Sequence, residues 1–124
     1  MEKGDGNMDD KIFRDAKRQL VEDAAVNNEL ISETMLRLAK YDLESYLGDP
    51  VKLKEEFKHI GKLMGVKPEV IEKYMDQCVA GYKKLYSILK MAIEENIEVD
   101  YDRVKRRVIA NRERREAKIK EQMK

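Results

Sequence analysis

The chain has 124 residues, enough for one domain with a modest core and too short for several. Charged residues make up 41% and hydrophobic residues 42%, while Pro and Gly number only 2 and 6, which disfavours a many-turned β protein and favours helices. The formal net charge of +1 hides a separation: Arg103 to Lys124 holds ten Lys or Arg against three Asp or Glu, a local +7, and residues 1–102 carry −6.

The opening MEKGDGNMDD is acidic and has no apolar run, so it does not read as a signal peptide. Residues 1–8 are expected to form a flexible leader, and Met8 could be the native start. Asp9 or Asp10 can cap a first helix reaching about Val26. Ile12, Phe13, Ala16, Leu20 and Ala24 recur at three- and four-residue spacing and predict its buried stripe. A second helix, starting near Glu29 or capped by Ser32, would bury Met35, Leu36, Ala39, Leu43 and Leu47. Gly48 would close it in a left-handed conformation.

Asp49-Pro50 is a strong start signal, a capping carboxylate followed by Pro where no N–H is needed. The third helix then offers Leu53, Phe57, Ile60 and Met64, and stops at Gly65. From Pro68 a single long helix is expected to about Glu95. Ile71, Met75, Cys78, Tyr82, Leu85, Leu89 and Ala92 form a four-three seam along it, able to cross the domain or pair with another chain. Residues 96–102 form a joint in which Ile97, Val99 and Tyr101 alternate, as a short extended piece would. Asp100 or Asp102 caps a last helix. The predicted architecture is all-α: a compact bundle of about four helices over residues 9–95, plus a protruding basic C-terminal helix over 103–124.

Val104 and Val108 of that last helix can still dock on the body, but Arg112 and Arg115 fall on the same face and the apolar stripe fails. Arg103, Lys105, Arg106, Arg107, Arg112, Arg114, Arg115 and Lys118 are therefore the candidate nucleic-acid-binding residues. A cationic rod of this kind can lie along a phosphate backbone and release counterions. The planar fork of Arg suits bidentate phosphate contact. Two other readings stand beside it. The tail can fold onto an acidic surface, this chain's own or a partner's, or it can be a solvated helix with Glu116 and Lys120 paired four residues apart.

The segment VKRRVIANRERREAKIKEQ is similar in passing to the basic-region helices of leucine-zipper DNA-binding proteins, sharing basic clusters around an Asn-Arg core. It lacks their small-residue pair and second basic cluster, and no leucine heptad follows. The stretch FKHIGKLMGVKPEVIEKYM, Phe57 to Met75, resembles the helix-turn-helix motif of many DNA-binding regulators. Ile60 and Met64 hold its inward positions, Gly61 its small position, Gly65 the turn, and Ile71 and Tyr74 anchor the second helix. The resemblance implies a sequence-reading helix from Lys67 to Asp76. Glu69, Glu72 and Asp76 on that helix would face phosphates and repel them, so an architectural corner is the other reading.

Catalytic chemistry is not expected. His59 is the only histidine, and Glu56 with His59 makes one Glu-x-x-His where a helical di-iron site needs two. Cys78, the only cysteine, excludes an intrachain disulfide, points to a reducing cytoplasm, and sits on the apolar seam as a small core side chain. Neighbouring carboxylates such as Glu55 and Glu56 diverge around a helix. No phosphate loop or dinucleotide fingerprint occurs. No apolar run approaches the ~18 residues of a membrane span. The expectation is a cytoplasmic non-enzymatic protein without cofactors that binds nucleic acid or regulates through its basic tail. The alternative is a helical adaptor or assembly subunit, a homo-oligomer among the possibilities, whose tail docks on an acidic protein. On the nucleic-acid-binding reading, cutting the chain after Asp102 is expected to leave the fold intact and abolish binding.

Overall fold

The computed structural model describes the backbone of residues 3–123 and the side chains of residues 9–123. Its described residues form six α-helices: α1 (Lys3–Asn27), α2 (Glu33–Leu47), α3 (Pro50–Leu63), α4 (Pro68–Lys73), α5 (Met75–Glu94) and α6 (Tyr101–Gln122). No strand occurs among them: of the alternating segment, residues 97–100 are loop and Tyr101 opens α6. The helix begins at Lys3, inside the stretch expected to be a leader.

Most boundaries follow from capping chemistry that is visible in the sequence. Ser32 Oγ accepts the Met35 N–H at 3.2 Å, Asp49 Oδ1 accepts the Lys52 N–H at 3.2 Å ahead of Pro50, and Asp100 Oδ1 accepts the Arg103 N–H at 3.1 Å. Each satisfies one of the donors that a helix start leaves unpaired. Three helix ends share one closure, in which the residue after the cap turns left-handed and the next donates its N–H five residues back. Leu30 N–H meets Ala25 O at 2.8 Å past α1, Val66 N–H meets Gly61 O at 2.8 Å past α3, and Ile97 N–H meets Ala92 O at 3.0 Å past α5. The left-handed residues are Glu29, Gly65 and Asn96, with φ of 55°, 76° and 49°. Gly65 and Asn96 suit that conformation, whereas Glu29 adopts it at a steric cost. Gly48 does not; it ends α2 with φ −81°, a right-handed conformation.

The core is built by α1, α2, α5 and α6: Val21, Ala25, Val26, Leu36, Leu43, Leu89, Ala92, Val104 and Val108 pack together with Leu30 of the α1–α2 loop. That differs from two expectations. The buried face of α1 is Val21, Ala24 and Ala25, while Ile12, Phe13, Ala16 and Leu20 are exposed. The last helix is not an appendage on a closed bundle, because Val104 and Val108 are as buried as any residue of the core. The domain therefore extends past residue 95 and includes the first half of α6.

The long helix expected from Pro68 is two helices, joined at Tyr74, which ends α4 and begins α5. Gly61 lies where α4 meets α3. A Cβ on Gly61 would stand 2.3 Å from Ile71 Cδ1 and 2.7 Å from Cγ1, so only Gly lets α4 lie this close to α3. While α4 follows α3, α5 runs back along α2 and α1, and a straight helix could not do both. Phe57 and Tyr82, with ring centroids 4.7 Å apart, hold α3 to α5. One turn past the break, Cys78 is exposed and does not contribute to the core.

Leu89 has no exposed surface, and Leu63 is 74% exposed. Leu89→Ala should lower unfolding free energy by about 2–5 kcal/mol, and Leu63→Ala should change it by less than about 0.5 kcal/mol. Urea unfolding of both variants measures the contrast.

Candidate functional site

The first half of the basic helix lies along the C-terminal part of α1, and its arginines meet carboxylates there and in the loop that follows. Arg103 clasps Glu22 in a two-pronged pair, Nε to Oε1 at 2.7 Å and a terminal nitrogen to Oε2 at 2.8 Å. Arg107 reaches the same Glu22 at 3.3 Å and Asp23 at 3.0 Å. One helical step further, Arg112 and Arg115 divide the two oxygens of Glu29, the Arg115 pair at 2.9 Å. The order of contacts, Glu22 with Arg103 and then Glu29 with Arg115, means that α1 and α6 run in the same direction. The last turns of α6 consequently extend past the end of α1.

Burial makes the first pair the consequential one. The Glu22 side chain is 3% exposed, in a helix segment whose buried residues are otherwise Val and Ala. A buried carboxylate without partners would be strongly destabilising. The hydrogen bond from Arg103 holds its pKa below the ordinary Glu value, burial opposes that shift, and Arg107 adds to it. The same bond raises Arg103 above its ordinary value. Glu29 is also lowered, by hydrogen bonds from Arg112 and then Arg115, but this pair is open to solvent and contributes less. Its geometry accounts for the left-handed Glu29: a side chain leaving the loop at that angle reaches both arginines.

The eight candidate residues thus divide evenly. Arg103, Arg107, Arg112 and Arg115 are bound to this chain's own carboxylates. Lys105, Arg106, Arg114 and Lys118 have no carboxylate partner among the described residues, and Arg114 donates instead to the Asn111 side chain and the Ala110 carbonyl. Glu116 and Lys120 form no ion pair among the described residues. Sequence reasoning missed Glu22, Asp23 and Glu29. The signal available for Glu22 was a charged pair, Glu22-Asp23, inside VEDAAV, whose other residues are small and apolar.

The helix-turn-helix-like corner gives a six-residue second helix, α4, that exposes Glu69 and Glu72. Lys58 of α3 lies 4.0 Å from Glu72, so one of the nearby cations faces α4 rather than outward. Among the described residues no cluster of three His, Cys, Asp or Glu could hold a metal ion. His59 is exposed.

Because Glu22 has a depressed pKa in the folded chain, its contribution to stability is complete above the unfolded value of about 4.3 and is lost as pH falls through the lower folded value. Glu22→Gln should destabilise at pH 7 by about 1.5–3 kcal/mol, the range for hydrogen bonds to charged groups, and should flatten the acid limb of stability below pH ~4.3. Thermal melts from pH 3 to 7 on both chains measure this. No protein-family model, characterised protein or solved structure gives a significant match to the chain.

Proposed function

We propose that the protein is a non-enzymatic helical assembly subunit, acting by covering exposed helix faces with protein. What carries the reading is surface area. The chain exposes 9674 Å², where a compact monomer of 14.6 kDa exposes about 6,900 Å². Setting aside the first eight residues at the area of a fully extended chain, roughly 1,300 Å², leaves the rest about a quarter above the compact value. Large apolar side chains make up part of the excess, among them Phe13, Leu38, Tyr41, Val51 and Met64. Apolar side chains left open on α1, α2 and α3 are what a protein partner would cover. The ion pairs of α6 support the same reading, since four of the cations suited to phosphate already act as the fastening of the fold. The exposed Cys78 accords with a reducing compartment, such as the cytoplasm.

A second reading, nucleic-acid binding, keeps support from Lys105, Arg106, Arg114 and Lys118, which no carboxylate of the described residues neutralises. No helix of the described residues is long and apolar enough to cross a membrane.

Sedimentation of the full chain should give a mass above 14.6 kDa as concentration approaches about 1 mM, the range of weak association. A strict monomer throughout would overturn the assembly reading. Duplex DNA and RNA should not bind measurably at about 0.15 M salt. Binding whose logarithmic salt slope on DNA is about −3.6 would instead favour the second reading, with four cations engaged; about −7.2 would mean that all eight leave their carboxylates.

A further inference from the structure

A hollow between the end of α1 and the middle of α6 carries more positive charge than the chain neutralises there. Buried Val26 and Val108 line it together with Asn27, Asn111, Arg114 and Arg115. Its volume is about 310 Å³, at the lower end of the roughly 300–1,000 Å³ usual for small-molecule sites. Glu29, at its edge, holds two guanidinium groups with one charge: Arg112 through one oxygen, and Arg115 through the other at 2.9 Å. Arg115 lines the hollow and Arg112 does not. Arg112 alone neutralises Glu29, so Arg115 can turn away without leaving a carboxylate unpaired. Arg114 has neutral partners, the Asn111 side chain and the Ala110 carbonyl, and no counter-ion among the described residues. Glu29 is the one carboxylate among the described residues that lines the hollow; Glu113 and Glu116 leave α6 on other faces. Two guanidinium charges therefore remain once Arg112 and Glu29 cancel. The negative end of the α1 dipole opposes them with only about half an elementary charge. The last carbonyls of α1 are also occupied, Ala24 accepting from Asn28, Ala25 from Leu30 and Val26 from Glu29.

We infer that this hollow binds a small phosphate monoester, with the phosphoryl group between Arg114 and Arg115. The inference does not depend on whether copies of the chain assemble. A phosphate monoester carries about −1.5 to −2 at pH 7, which matches the two uncancelled charges. A carboxylate or a phosphodiester matches only one. Planar guanidinium forks suit phosphoryl oxygens, which accept two parallel N–H bonds. The carboxamides of Asn27 and Asn111 offer donors and acceptors to hydroxyl groups on the ester side. Binding asks only that Arg115 exchange one anion for another, a side-chain rotation that leaves α1 and α6 in place.

Titration of the full chain with glycerol 3-phosphate, followed in ¹H–¹⁵N spectra, tests this. The Nε–Hε signals of Arg114 and Arg115 and the side-chain amide of Asn111 should shift and saturate, with a Kd of about 1 mM or tighter. Arg114→Gln and Arg115→Gln should each weaken binding about 10-fold or more, as loss of a charge-assisted hydrogen bond does. Both side chains are exposed, so both variants should keep the circular dichroism of the parent. Glu29→Gln should tighten binding by releasing Arg115, and Lys120→Gln, outside the hollow on the same helix, should leave it unchanged. Dimethyl phosphate, with a single charge, should bind more weakly than the monoester. Absence of a saturable shift would overturn the inference, as would dimethyl phosphate binding as tightly as glycerol 3-phosphate. Equal losses in Lys120→Gln and Arg114→Gln would also overturn it, assigning the effect to diffuse surface charge.

Discussion

A carboxylate enclosed by Val and Ala side chains needs cations beside it, and this molecule supplies them from a helix eighty residues away in sequence. Glu22 with Arg103 and Arg107 is the interaction that sets α6 in parallel register on α1. Once that register is fixed, Val104 and Val108 fall into the space between α1, α2 and α5. Three residues after Val108 the face turns polar, and Arg112 and Arg115 meet Glu29 in place of further apolar packing. Removing one partner of a buried pair costs more than the pair itself contributes, because the remaining charge is left in a poorly solvated place. The clasp therefore works chiefly by excluding alternative placements of α6.

This arrangement changes the meaning of the charge separation along the chain. A −6 body joined to a +7 tail can signal a polyanionic partner, or it can be the two halves of an internal contact. Counting charges cannot tell these apart, because the count does not say which helices are neighbours. The deciding facts are positional: Glu22 on α1 and Glu29 in the loop after it lie seven residues apart, and two pairs of arginines match them.

Local chemistry was the legible part of the sequence. Ser32, Asp49-Pro50, Asp100 and Gly65 marked helix limits through hydrogen bonds that involve only near neighbours, and the helical class followed. Leu36, Leu43, Leu53, Leu89 and Ala92 were placed inward correctly from their spacing. Where the sequence misled, the missing information was tertiary. The period of Ile12, Ala16 and Leu20 is that of a buried stripe, but periodicity identifies a face and not whether anything covers it. The junction at Tyr74 accompanies the approach of Ile71 to Gly61, a contact between two helices. Cys78, expected on the seam, is exposed. Of the candidate cations, their identity was legible and their division into paired and unpaired sets was not.

The most direct test of this account is the equilibrium unfolding of a chain that ends at Asp102, compared with the full chain. Removing α6 takes Val104 and Val108 from the core and leaves Glu22 without either arginine. The account predicts that the shortened chain loses its cooperative transition and much of its helical signal at neutral pH. A shortened chain that melts cooperatively with a Tm near that of the full protein would contradict it, and would return α6 to the role of an independent cationic tail.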